Sequence, residues 1–260
     1  MTLNDAITVF SDKVLLLLNQ YKIKLQVLNP TVPLIKTIGQ QMSLENIISV
    51  RVETKTTTTN KFDYHSLADL KKIRSLTLRN SYEFKQFEQY QSSLPELHRL
   101  SLYYDQVFPF QLLEYLFESI KIPIKRLDIR FTEMHCTPFL RNLSNNSIEY
   151  VVIDISDLVY PLKSENCSGS KDKFHTEIVN LLEHMPNIRR VRLIIKLEDI
   201  YQLLDYKRWR RLILMCKHLE NIRIQVVSNC LHEDVLSQVQ DDVEFALKQT
   251  RDSVKFQFIY

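Results

Sequence analysis

Arginine recurs at alternate positions along this chain. In Arg126-Leu-Asp128-Ile-Arg130, Arg190-Val-Arg192-Leu, Ile-Arg223-Ile, Leu-Arg79 and Arg99-Leu-Ser-Leu-Tyr103, polar and aliphatic residues interleave. Successive side chains of an extended strand point to opposite faces, so this spacing gathers guanidiniums on one face and aliphatic groups on the other. A guanidinium is always charged and can bind a carboxylate or phosphate through two parallel N–H bonds. The chemistry these residues offer is the recognition of anions. Tyr103 and Tyr150 fall on the same face and add aromatic anchors of the kind common at interfaces. The candidate partner-binding set is therefore Arg79, Arg99, Tyr103, Arg126, Asp128, Arg130, Tyr150, Arg190, Arg192 and Arg223.

No catalytic or metal-ligating set stands beside them. The histidines at 135, 175, 184, 218 and 232 match no zinc spacing, and no HExxH occurs. Asp241 and Asp242 are neighbours on a helical pattern and cannot face one substrate, and none of the serines stands on a recognisable nucleophile turn. Only Gly39 and Gly169 occur, which excludes a P-loop or a dinucleotide fingerprint. Cys136, Cys167, Cys216 and Cys230 form no CxxC pair and read as reduced thiols. The expectation is a non-enzyme without cofactor or metal.

The elements that must position the arginines repeat. Ile73, Leu76 and Leu78 set a phrase with apolar residues at its first, fourth and sixth positions. It returns at Leu97/Leu100/Leu102, Ile124/Leu127/Ile129, Ile148/Val151/Ile153, Ile188/Val191/Leu193 and Leu219/Ile222/Ile224, and upstream at Ile47/Val50/Val52. The first five starts lie 24 to 27 residues apart, room for one strand and one short helix. Helical spacing fills the intervals at Pro33 to Met42, Glu83 to Ser92, Phe108 to Ile120, Phe174 to Met185, Ile200 to Lys217 and His232 to Thr250. Thr56 to Thr59 and Pro161 to Lys173 read as exposed loops.

Stacked units of this size bury a continuous core that none could bury alone. The fold expected is an α/β solenoid, curved, with a parallel sheet on its concave side and helices on its convex side. Its organisation is one irregular domain over 1–260: a helical cap and degenerate first repeat over 1–43, repeats over 44–226, and a closing helix and strand over 227–260. Lys207-Arg-Trp-Arg-Arg211 opens an amphipathic helix in which Trp209, Leu212 and Cys216 can pack inward while the arginines face water.

The recurring Leu/Ile-x-x-Leu-x-Leu core resembles the leucine-rich repeats of intracellular proteins, in particular the ribonuclease-inhibitor-like arrays of F-box proteins. Leu181-Leu-Glu-His-Met-Pro-Asn-Ile-Arg-Arg190 and Leu219-Glu-Asn-Ile222 are similar to the repeat junctions of that group. The ninth position departs from the usual Asn or Cys, holding Ser81, Asp105, Thr132, Ser156, Lys196 and Val227, and no Leu-Pro-x-Glu opening of an F-box is evident. The resemblance implies a protein-binding scaffold, with the substrate-recognition arm of a ubiquitin ligase as its narrower form and an Skp1-like adaptor as a partner should a longer form carry an F-box.

Apolar residues at 45%, charged residues at 25% and a net charge of +3 fit a folded protein rather than a dedicated nucleic-acid binder. The expected partner is a protein with an acidic segment; RNA or another polyanion is the alternative, and membrane insertion is not expected. Without a secretory leader pattern, the expected location is cytoplasmic or nuclear.

Overall fold

The computed structural model describes residues 20, 24–41, 43–53, 64–80, 89, 91–107, 117–118, 121–133, 144–157, 178, 181–196, 206–227, 233–251 and 253–259. Most of the expected helices over 83–92 and 108–120, half of that over 174–185, and the loops at 56–59 and 161–173 lie outside them. Among the described residues nine strands form one sheet in chain order: β1 (Leu25–Leu28), β2 (Ile47–Glu53), β3 (Ser75–Arg79), β4 (Arg99–Val107), β5 (Arg126–Glu133), β6 (Tyr150–Asp154), β7 (Arg190–Lys196), β8 (Asn221–Val227) and β9 (Lys255–Ile259). The pairs β1/β2, β2/β3, β5/β6, β6/β7, β7/β8 and β8/β9 are all parallel. Sequential parallel strands, each returning through a crossover, are the leucine-rich-repeat architecture expected from the repeats. The chain divides into two compact units, residues 1–101 with 120–122, and residues 102–119 with 123–260.

In the second unit the repeat phrases lie in register. Leu127, Val151, Val191, Ile222 and Phe256 form one rung, and Ile129, Ile153, Leu193, Ile224 and Phe258 another. In the first unit Val50 pairs with Leu76 and Val52 with Leu78. All of these are buried except Phe256, which is half-buried against Phe258 with ring centroids 4.9 Å apart. A fully buried aliphatic side chain is worth about 1.5–3 kcal/mol before entropy is subtracted, so each rung is a stabilising layer spanning several repeats.

A short turn brings the chain into β3, β4, β7, β8 and β9. The N–H groups of Ile73, Leu97, Ile188, Leu219 and Val254 donate to the carbonyls of Leu70, Leu94, Met185, Cys216 and Arg251, at 3.0–3.2 Å. The second residue of each phrase then offers its carbonyl to two amides of the following strand. Lys125 O accepts from Glu149 and Tyr150, Glu149 O from Arg189 and Arg190, and Arg189 O from Glu220 and Asn221, at 2.8–3.1 Å. This shared acceptor fixes the register, and with it which side chains meet on the polar face.

The described helices follow from local signals. Val32–Gln41 begins after Thr31, whose hydroxyl accepts from Leu34 N at 3.3 Å as an N-cap does. Tyr206–Met215 buries Trp209, Leu212 and Ile213 and exposes Lys207, Arg210 and Arg211, which is the inward packing expected of it, and buried Cys216 follows. Glu233–Thr250 leads into β9. Asn29 and Asn80, each just after a strand, adopt left-handed backbone with φ of 45° and 55°. Asparagine tolerates that region better than most residues. In the first unit Asn29 Oδ1 also accepts from Glu53 N at 2.6 Å.

A cationic strand face as the candidate functional site

The odd positions of each phrase, starting from the third, share the polar face of the sheet. In the second unit Arg126, Tyr150, Arg190, Asn221 and Lys255 form one rung, and Asp128, Val152, Arg192, Arg223 and Gln257 the next. The register thus brings Arg126, Asp128, Arg130, Tyr150, Arg190, Arg192 and Arg223 onto one surface. Tyr103 is half-buried in β4 of the same unit. Arg79 and Arg99 belong to the first unit, where Arg79 Nη1 lies 3.8 Å from Glu53 Oε1 and Arg51 Nη2 lies 2.5 Å from the same oxygen. Arg99 is half-buried and engaged with a neighbour.

The arginines of this surface are not equivalent. On β5 they meet carboxylates. Arg126 Nε donates to Asp128 Oδ1 at 2.8 Å, and its guanidinium carbon lies 4.4 Å from the centre of the Tyr150 ring. Arg130 donates through Nη2 to Asp157 and places Nε 3.7 Å from Asp154. The Asp157 hydrogen bond holds the Arg130 pKa above its usual value, outweighing the opposing effect of burial, with the charges of Asp154, Asp157 and Asp105 assisting. Asp128 is only 3% exposed. It therefore orients Arg126 rather than meeting a partner itself, a role different from the one its strand position suggested.

On β7 and β8, Arg192 and Arg223 meet neutral acceptors. Arg192 Nη2 donates to Gln225 Oε1 at 2.5 Å, and Arg223 gives both Nε and Nη2 to Gln257 Oε1 at 3.1 and 2.8 Å. Arg190 and Lys255 are exposed, and their side chains have no partner among the described residues. These four cations line a hollow of about 460 Å³ together with Tyr150, Val191, Glu220, Asn221 and Ser253. Its single carboxylate, Glu220, lies 3.4 Å from Arg189. The hollow keeps a surplus of positive charge that β5 and β6 do not.

Two parts of this arrangement were not picked out from the sequence. Lys255 lies on the closing strand, where alternation puts Lys255 and Gln257 on the face opposite Phe256 and Phe258. The second is a charge ladder at the second position of successive phrases: Lys125, Glu149, Arg189 and Glu220. Lys125 Nζ and Glu149 Oε1 are 2.6 Å apart, and this hydrogen bond holds the Glu149 carboxyl below its usual range. In the first unit Lys72 and Arg74 share Glu96 at 2.6 and 3.4 Å, which lowers the Glu96 pKa and raises that of Lys72, chiefly through their mutual hydrogen bond. The alternating signs were readable once the phrases were aligned.

Between two helical segments, Glu183 meets Arg211 Nε at 2.8 Å, an ion pair whose alignment does not make a hydrogen bond. Burial pushes the Glu183 carboxyl up, against the pull of Arg211. Burial also pushes the Cys216 thiol up to about 11, with the charge of Glu183 adding to it. No group of three or more His, Cys, Asp or Glu residues is placed to hold a metal ion among the described residues. Among the same residues no helix is long and apolar enough to cross a membrane.

No family model and no curated protein matches the chain. Among solved structures it is similar to an internalin of Listeria monocytogenes, with 10% identity and a TM-score of 0.31, over 83% of this chain and 55% of that one. The chain thus spans about half the length of that internalin. The leucine-rich-repeat fold is read from the strand order and register described above.

Proposed function

We propose that this chain is a non-catalytic recognition scaffold that receives an acidic segment of a protein partner across β7, β8 and β9. The observation that carries the reading is the difference between the two halves of the polar face. Arg126 and Arg130 on β5 are neutralised by Asp128, Asp154 and Asp157, whereas Arg192 and Arg223 are held by glutamines and Arg190 and Lys255 by no described side chain. A glutamine fixes a guanidinium without cancelling its charge, so the cations stay available to an incoming carboxylate. Leucine-rich-repeat domains are in general protein-binding modules, and a cytoplasmic or nuclear location accords with the thiol content.

The test is fluorescence anisotropy with a labelled Glu-rich peptide. Reversal of Arg190, Arg192 and Arg223 to Glu should abolish binding, while reversal of Arg79 leaves it intact. Equal binding by both proteins would remove the reading. The narrower role, the substrate arm of an F-box-type ligase, rests on the resemblance of the repeat junctions; co-purification of an Skp1-like adaptor supports it, and its absence from a stable complex opposes it. Salt separates protein from nucleic acid as the partner, because release of counterions from RNA gives a steep fall of affinity with salt.

A further inference from the structure

We propose that the hollow bounded by Arg190, Arg192, Arg223 and Lys255 is a phosphate pocket that reads a phosphorylated side chain within the acidic segment, an inference resting on the recognition role given above. Four cations from three adjacent strands line this hollow of about 460 Å³. A carboxylate carries one charge and is satisfied by one guanidinium fork. A phosphate monoester carries about −1.5 to −2 and offers three acceptor oxygens. The cluster matches the second.

The unused donors point the same way. The exposed Arg190 and Lys255 side chains have no acceptor among the described residues. The neutral wall adds Asn221 and Ser253. Ser253 Oγ accepts from Arg251 Nε at 3.1 Å, so its own hydroxyl proton remains for another acceptor. Gln225 and Gln257 hold Arg192 and Arg223 in position before any ligand arrives, which reduces the ordering cost of binding.

The layout favours a monoester over a nucleic-acid backbone. A backbone presents single charges along a track and calls for cations spread along it. Here the unneutralised cations gather around one hollow, and the arginines of β5, Arg126 and Arg130, are already paired with aspartates.

The experiment compares one peptide in three forms, carrying Ser, Glu or phosphoserine at its centre within a Glu-rich frame, by calorimetry at constant ionic strength. Inorganic phosphate and acetate are tested in parallel by thermal shift. The phosphoserine form should bind at least about tenfold tighter than the Glu form, and phosphate but not acetate should raise the melting temperature. Lys255→Gln and Arg190→Gln, both at exposed positions, should each weaken phosphoserine binding several-fold and leave the unliganded melting temperature unchanged. Equal affinity of the Glu and phosphoserine forms overturns the phosphate pocket while leaving recognition of acidic segments intact. No binding by any form removes both. Tighter binding of a single-stranded oligonucleotide than of the phosphopeptide also overturns it.

Discussion

Replacing Arg126 by Ala should destabilise the protein far more than an ordinary surface substitution. Asp128 keeps only 4% of its side chain exposed and lies 2.8 Å from Arg126 Nε, so the variant leaves a buried carboxylate without its guanidinium. Breaking a fully buried pair from one side costs about 3–5 kcal/mol. Arg126 retains 31% exposure, which lets water reach the vacated site, and Asp128 keeps another interaction. Both bring the expected cost down to about 2–3 kcal/mol, of which the lost contact with the Tyr150 face supplies about 0.5–1. Asp128→Asn keeps the shape and removes the charge, so combining it with Arg126→Ala should recover about 1–2 kcal/mol as a coupling energy. Urea unfolding of the four proteins at neutral pH, followed by circular dichroism with m held in common, measures each step. A cost for Arg126→Ala within about 0.5 kcal/mol of zero, the usual surface range, would refute the reasoning, as would strict additivity in the double variant.

Other predictions follow from the same structure. The raised pKa of Glu183 means that the fold favours its protonated form, so its contribution is complete below the ordinary carboxyl range and is lost as pH rises through the folded value. Glu183→Gln should therefore be more stable than the parent at neutral pH, with the difference vanishing in acid; a pH series of urea midpoints checks the sign, and a deficit at neutral pH contradicts it. With its thiol pKa near 11 and its side chain buried, Cys216 should resist iodoacetamide at neutral pH in the folded protein and react only after unfolding, as peptide mapping by mass spectrometry would show. Ile153→Ala, on a rung buried through five strands, should cost about 2–5 kcal/mol. Arg190→Ala should change the urea midpoint little, and matching losses in these two variants would contradict the division between core and polar face.

The repeat core was readable because burial imposes a strict rule on residue type: Leu127, Val151, Val191 and Ile222 occupy one rung, and each is aliphatic. The strands β3 to β8 each begin at the third position of their phrase. The ranking of the arginines was not readable, because it depends on partners brought in by register and turns. Arg130 and Arg192 look alike in the sequence. One meets Asp154 and Asp157 and the other meets Gln225, a residue 33 positions away. Asp128 shares the alternation of the exposed positions, yet it is buried, as are Thr77, Ser101 and Val152 at the same position of their strands. At that position small or paired groups sink below larger neighbours, and alternation gives the direction of a side chain without its depth. Lys255 escaped notice because β9 is entered one residue earlier in the phrase than its predecessors, with Val254 donating to Arg251 directly before the strand.

The central claim is that recognition occurs where the guanidiniums keep their charge. Arginine side-chain Nε–Hε resonances, followed in a heteronuclear NMR titration with a Glu-rich peptide, test it most directly. The account predicts shifts at Arg190, Arg192 and Arg223, with Arg126, Arg130 and Arg79 unmoved. Shifts confined to Arg210 and Arg211 on the outer helix, or spread evenly over all arginines, would contradict it.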